Sequence, residues 1–205
     1  TGTEANDLAL RMARSITGKT GIIATDHTYH GNSLAVSQLS TTSKPAGPAF
    51  DNVRFVPAPD SYRPMGGVAG LEHGLRFAEA VQRQIDDLEK SGHGFSAMML
   101  CPYFANEGFP DLVEGWLKPT AEVVKRTGGM LIADEIQPGF GRLGSHMWGY
   151  QAAGIQPDIV TLGKPMGNGH PVGALVTSQD ILAQFRGSSK YFNTFGGNPV
   201  SCAAA

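Results

Sequence analysis

At 205 residues, 41% hydrophobic and 17% charged, the chain can bury one large core and lacks the composition of a disordered protein. A net charge of −2 with no basic run leaves no footprint for nucleic acid or for an anionic membrane surface. The longest apolar runs, such as Ala97–Leu100, are far too short to span a bilayer.

In chain order, Ala5, Leu8, Ala9, Met12, Ala13 and Ile16 recur at helical spacing, so the first element is an amphipathic helix. Thr1 and Glu4 form its capping pattern and Gly18 its end. A strand over Gly21–Thr25 follows and runs into the polar turn from Asp26 to Gly31. Residues 40–68 are rich in Pro, Gly, Ser and Thr, which predicts an irregular connection around one strand, Val53–Val56. Leu71, Leu75, Ala78, Val81, Ile85 and Leu88 mark a helix from Gly70 to Lys90. Next come a strand over Ser96–Cys101, a turn at Asn106–Gly108 and a helix over Leu112–Arg126. Three further strands are expected at Met130–Ala133, Asp158–Leu162 and Val172–Thr177, with a helix from Ser178. Strands alternating with helices predict an α/β fold with a mostly parallel central sheet flanked by helices.

Cys101 and Cys202 sit in apolar segments and read as small buried hydrophobes in a reducing compartment. The chain opens on Thr1 and closes on Val200–Ala205, which has the pattern of an apolar helix cut short. Both ends are therefore expected to be breaks in a longer protein. Residues 1–205 then form one incomplete domain, cytoplasmic or in the mitochondrial matrix.

In open α/β sheets, ligands bind beyond the carboxyl ends of the strands. Two polar residues fall there, Asp134 after Met130–Ala133 and Lys164 after Ile159–Gly163. A lysine leaving an apolar strand is expected to be partly desolvated, which frees its amine to attack an aldehyde. A buried carboxylate needs a cationic or hydrogen-bonding partner, and a pyridinium nitrogen is one such partner. The competing reading is a structural Lys–Asp pair bridging two strand ends. Spacing alone does not separate the two.

The surrounding text does. LIADEIQPGFGRLG from Leu131 and PDIVTLGKPMGNGHP from Pro157 resemble the class III (ω-type) aminotransferases. TGTEANDLALRMAR from Thr1, HTYHGNS from His27 and YFNTFGGNPVSCA from Tyr191 are similar to the same family, in the family's order. The resemblance is nearest to the branch holding alanine–glyoxylate aminotransferase 2 and the ethanolamine-phosphate phospho-lyases.

It implies the large, catalytic domain of a fold type I transferase that uses pyridoxal 5'-phosphate (PLP). Lys164 would carry the cofactor as a Schiff base and Asp134 would hold its ring nitrogen protonated. Gly2 and Thr3 would bind the phosphate at a helix N-terminus, where free N–H groups favour an anion. Tyr29 would stack on the ring with His30 beside it, Ile136 would pack on the opposite face, and Gln137 would bond the phenolic oxygen. Thr194 would reach the phosphate of a partner subunit, which makes the working unit a homodimer. Arg142 matches a position at the mouth of the site, with a surface salt bridge as the competing role.

Glu135 is expected to turn to the other face of the strand. One departure bears on substrate: the family's usual Glu-Pro pair reads Cys101-Pro102 here, and Glu107 is not expected to replace the missing carboxylate. The implied reaction is transamination between an amine or amino acid and an oxo acid or aldehyde. The alternatives are a phospho-lyase acting on a phosphorylated amino alcohol and, for the isolated chain, no cofactor binding at all.

Two other motifs fail on their own terms. Gly18-Lys19-Thr20 ends a helix and has Ala13 where a phosphate-binding loop needs glycine. His27 and His30 form a weak His-x-x-His pair beside Asp26 with no further ligand at convincing spacing, so no metal is expected. His73, His93 and His146 are expected at the surface or in loops, and His170 in the turn after Lys164.

Overall fold

The computed structural model describes residues 1–205 as a six-stranded sheet in the order β2-β1-β3-β4-β5-β6. The strands are β1 (Gly21–Thr25), β2 (Val53–Val56), β3 (Phe95–Leu100), β4 (Met130–Asp134), β5 (Ile159–Leu162) and β6 (Ala174–Thr177). All neighbours run parallel except β6, which pairs antiparallel at the edge. The helices are α1 (Gly2–Thr17), α2 (Leu34–Ser37), α3 (Gly70–Lys90), α4 (Lys118–Arg126), α5 (Gly149–Ala152), α6 (Gln179–Ser188) and α7 (Pro199–Ala204).

Strands β1, β3 and β4 are buried along their whole length, because helices cover both faces. Successive side chains therefore feed two separate cores. Ile23, Met98 and Leu131 pack with Phe77, Val81 and Val124 of α3 and α4. Ile22, Met99 and Ile132 pack with Ala9, Leu10 and Met12 of α1. No helix is long and apolar enough to cross a membrane.

Three expectations are corrected here. The helix expected from Leu112 begins only at Lys118, because Gly115 takes a left-handed φ of 80° that interrupts the turn. His73 is buried, not superficial: it shares the inward face of α3 with Phe77 and Val81 at spacings of four, and meets the Trp116 ring edge-on at 5.1 Å. Burial pushes its imidazole pKa down. Cys202 is exposed on the terminal helix, whereas Cys101 is buried as expected.

Candidate active site

Helix α1 ends at Gly18, which is left-handed at φ 67° and returns its N–H to the Arg14 carbonyl. The other end of α1 abuts the tip of β5. A Cβ on Gly163 would lie 3.4 Å from the Gly2 Cα, and one on Gly2 would lie 2.6 Å from the Ile136 Cδ1. Bare backbone at these points brings the helix N-terminus, the β4 tip and the β5 tip together. Gly31, at φ 139° and with Thr3 where its Cβ would be, closes the turn after β1 onto the same spot.

The result is a pocket of about 190 Å³ beyond the carboxyl ends of the parallel strands. Gly2 and Thr3 form one wall, Tyr29 and His30 another, and Asp134, Ile136, Gln137 and Lys164 the rest, with Cys101 and Asn106 beside them. An enclosed cavity of about 150 Å³ takes a benzene ring. At about 190 Å³ this open pocket exceeds that volume.

Asp134 is 5% exposed and its carboxylate is well supplied with donors. Oδ2 accepts from Asn6 Nδ2 at 2.9 Å and from His30 Nδ1 at 2.7 Å. Oδ1 accepts from the Ile136 amide at 3.1 Å, and its second lone pair is left for a donor in the pocket. Because a carboxylate only accepts, His30 Nδ1 must carry the hydrogen. His30 Nε2 meets the Thr28 hydroxyl at 3.2 Å, so His30 lies buried beneath Asp134 as well as at the pocket.

Glu135 diverges from its neighbour as strand alternation requires. Its oxygens accept the Gly149 and Tyr150 amides at 2.8 and 2.7 Å, while burial raises its pKa.

Lys164 has a left-handed φ of 41°, opens the 3₁₀ turn Lys164–Gly167 and is exposed, not partly desolvated as its strand-end position predicts. The turn carries it beyond the buried run of β5. Its Nζ has no carboxylate within ion-pair distance, which removes the structural Lys–Asp pair. A non-glycine residue held in this conformation costs on the order of 1–3 kcal/mol, and such strain gathers at functional sites.

Tyr29, 43% exposed, lines the pocket. Arg142 and Thr194 are exposed and line none of the pocket wall, and Arg142 pairs with no carboxylate. Glu107 turns away to accept the Thr25 hydroxyl at the end of β1. No group of three or more His, Cys, Asp or Glu side chains is placed to hold a metal ion.

Cys101 borders the pocket. Burial, and then the Asp134 charge, push its thiol pKa up to about 12. At pH 8 only about one thiol in ten thousand is then ionised, and the thiolate is the reactive form. Cys101 should resist iodoacetamide at pH 8 in the folded protein and react once urea is added. Alkylation of Cys101 in the native state would show that it is not desolvated.

The sequence reading missed Asn6 and Thr161. Both are fully buried polar residues, and their position inside an apolar helix face and an apolar strand was the available signal.

A mostly parallel sheet with a free lysine and a buried carboxylate on neighbouring strand tips, beneath a helix N-terminus, is the fold of the type I PLP-dependent transferases. The chain belongs to the family described as "Aminotransferase class-III", whose profile matches residues 1–205. It is 40% identical over 214 residues to an alanine–glyoxylate aminotransferase 2-like protein of Drosophila melanogaster, covering 100% of this chain and 43% of the relative. It is 38% identical to an ethanolamine-phosphate phospho-lyase homolog of Caenorhabditis elegans, covering 99% and 46%. A phospholyase from Arthrobacter, solved in complex with phosphoethanolamine, superposes with a TM-score of 0.90 at 42% identity, covering 100% of this chain and 48% of that one. The chain thus spans less than half the length of these relatives.

Proposed function

We propose that this chain is the cofactor-binding part of a PLP-dependent aminotransferase that moves an amino group between an amine or amino acid and an oxo acid or aldehyde. The observation that carries the reading is one pocket shared by an unpaired lysine amine and a carboxylate with a lone pair to spare.

The residues fit the cofactor. Gly2 and Thr3 at the start of α1 suit its phosphate, Tyr29 and Ile136 suit the ring faces, and Gln137 suits the phenolic oxygen. Asp134 Oδ1 suits a protonated ring nitrogen, and Lys164 is the amine that would anchor the aldehyde. When bound, PLP supplies an electron-accepting ring conjugated to the substrate's reacting carbon.

The protein's own part is to hold and move protons. Asp134, with three donors already on its carboxylate, would face the ring nitrogen and hold a proton there. Lys164 Nζ, exposed at the pocket rim, would take a proton from the substrate carbon and give it back at the acceptor carbon. Thr194 is assigned to the partner subunit's phosphate in a homodimer, and Arg142 to the substrate side of the mouth. Activity is assigned to a protein of the relatives' length containing residues 1–205.

Borohydride reduction of that protein with PLP, followed by peptide mapping, should place the label on Lys164. A label on another lysine, or no label, would sink the reading.

A phospho-lyase is the second reading, favoured by the phosphoethanolamine-bound neighbour and by a neutral Cys101 in place of a carboxylate. A single half-reaction separates the two. A transaminase would leave the nitrogen on the cofactor, whereas a lyase would release phosphate, ammonia and a carbonyl product and leave the cofactor unchanged.

A further inference from the structure

We propose that Asn6 is a positioning residue that holds the phosphate end of α1, the Asp134 carboxylate and the strand leading to Lys164 in one register. This rests on the roles assigned above to Lys164 and Asp134.

Asn6 is fully buried, and its carboxamide is used on both sides. The two Nδ2 hydrogens go to the His30 carbonyl at 2.7 Å and to Asp134 Oδ2 at 2.9 Å. Oδ1 accepts the Thr161 hydroxyl at 2.6 Å. The reverse orientation would set the amide oxygen against a carbonyl and a carboxylate, so the network allows one orientation only.

Each partner belongs to a different part of the site. Asn6 lies one turn along α1 from Gly2, on the same face. Thr161 is the β5 residue opposite Asp134 in the β4–β5 ladder, three positions before Lys164. The His30 carbonyl belongs to the turn that carries Tyr29. One side chain therefore ties together the groups assigned to the phosphate, the ring face and the ring nitrogen.

The amide also has an electrostatic effect. Hydrogen bonds to a carboxylate favour its ionised form. With Asn6 and His30 both donating to Oδ2, the carboxylate would be suited to a protonated ring nitrogen as a further donor. Removing the amide leaves Oδ2 one donor and the Thr161 hydroxyl none of its present acceptor. The carboxylate would then be a weaker partner for a protonated ring nitrogen.

The test uses the full-length holoenzyme carrying PLP labelled with ¹⁵N in the pyridine ring. In Asn6→Ala the ring-nitrogen resonance should move toward its unprotonated position and the PLP dissociation constant should rise about tenfold or more. Thr161→Val, which loosens Asn6 but leaves both Nδ2 bonds, should show the same changes more weakly. The turnover number kcat should fall with KM little changed, while Thr161→Ser, which keeps the hydroxyl, should match the wild type. An unmoved resonance and unchanged kcat with a lowered Tm alone would make Asn6 merely structural and overturn the inference. If Asn6→Ala does not fold, Asn6→Ser decides, since it too removes the amide that donates to Asp134 Oδ2. A wild-type protein that takes up no PLP, or is not labelled at Lys164, overturns the functional reading and this inference with it. Normal wild-type labelling with unaltered variants overturns this inference alone.

Discussion

In the full-length protein, Lys164→Ala lowers kcat by about 10⁴ or more while the fold survives. The expected loss is large because the proposed function gives one amine two tasks, anchor for the aldehyde and base at the substrate carbon, and no other lysine borders the pocket. The fold survives because the side chain is exposed and holds no ion pair. The backbone supplies a second readout. At φ 41° an alanine is strained and a glycine is not, so Lys164→Gly should be more stable than Lys164→Ala by about 1 kcal/mol. Both should be inactive. Steady-state assay and thermal melting check the two halves separately. Turnover retained in the alanine variant removes Lys164 from the chemistry, and an alanine variant as stable as the glycine one denies the left-handed conformation.

The second large effect is expected at Asp134. Asp134→Asn keeps the shape and removes the charge, and should lower kcat by about 10²–10³, the size of loss seen when a preorganised electrostatic group is removed. It also disturbs the donors beneath. The amide oxygen can replace Oδ2 and still accept from Asn6 and His30, but the amide nitrogen then faces the Ile136 N–H. Two opposed donors leave one hydrogen bond unmade, a cost of about 1–3 kcal/mol visible as a lower Tm. PLP affinity should fall as well. Activity close to wild type would mean that the ring nitrogen needs no anion. Full stability with lost activity would mean that the Ile136 amide finds another acceptor.

Much of this was legible in the sequence. The apolar runs ending in Asp134 and Lys164 mark strand tips by local pattern alone, and the structure places both residues on one pocket. The motifs around Gly2, Tyr29, Ile136 and Gln137 are local too, and the fold draws them to the same place. Thr194 and Arg142 are matched in the text but lie off this chain's own pocket wall, so their roles stay proposals for the assembled protein.

What the sequence by itself determined was the alternation of strands and helices and the residue types at the strand ends, because periodicity and turn composition act over a few neighbouring positions. Only the tertiary structure decided which groups meet. Asn6 reaches Asp134 across 128 positions and Thr161 across 155, and no local pattern names either partner. His30 is turned beneath the carboxylate, His73 is drawn into the core by the helix face it shares with Phe77, and Lys164 stands clear of Asp134 where an ion pair had seemed equally natural. The physical reason is the same in each case. A polar side chain's role is set by the donors, acceptors and burial around it, and these are supplied by segments distant in sequence that meet only when the sheet assembles.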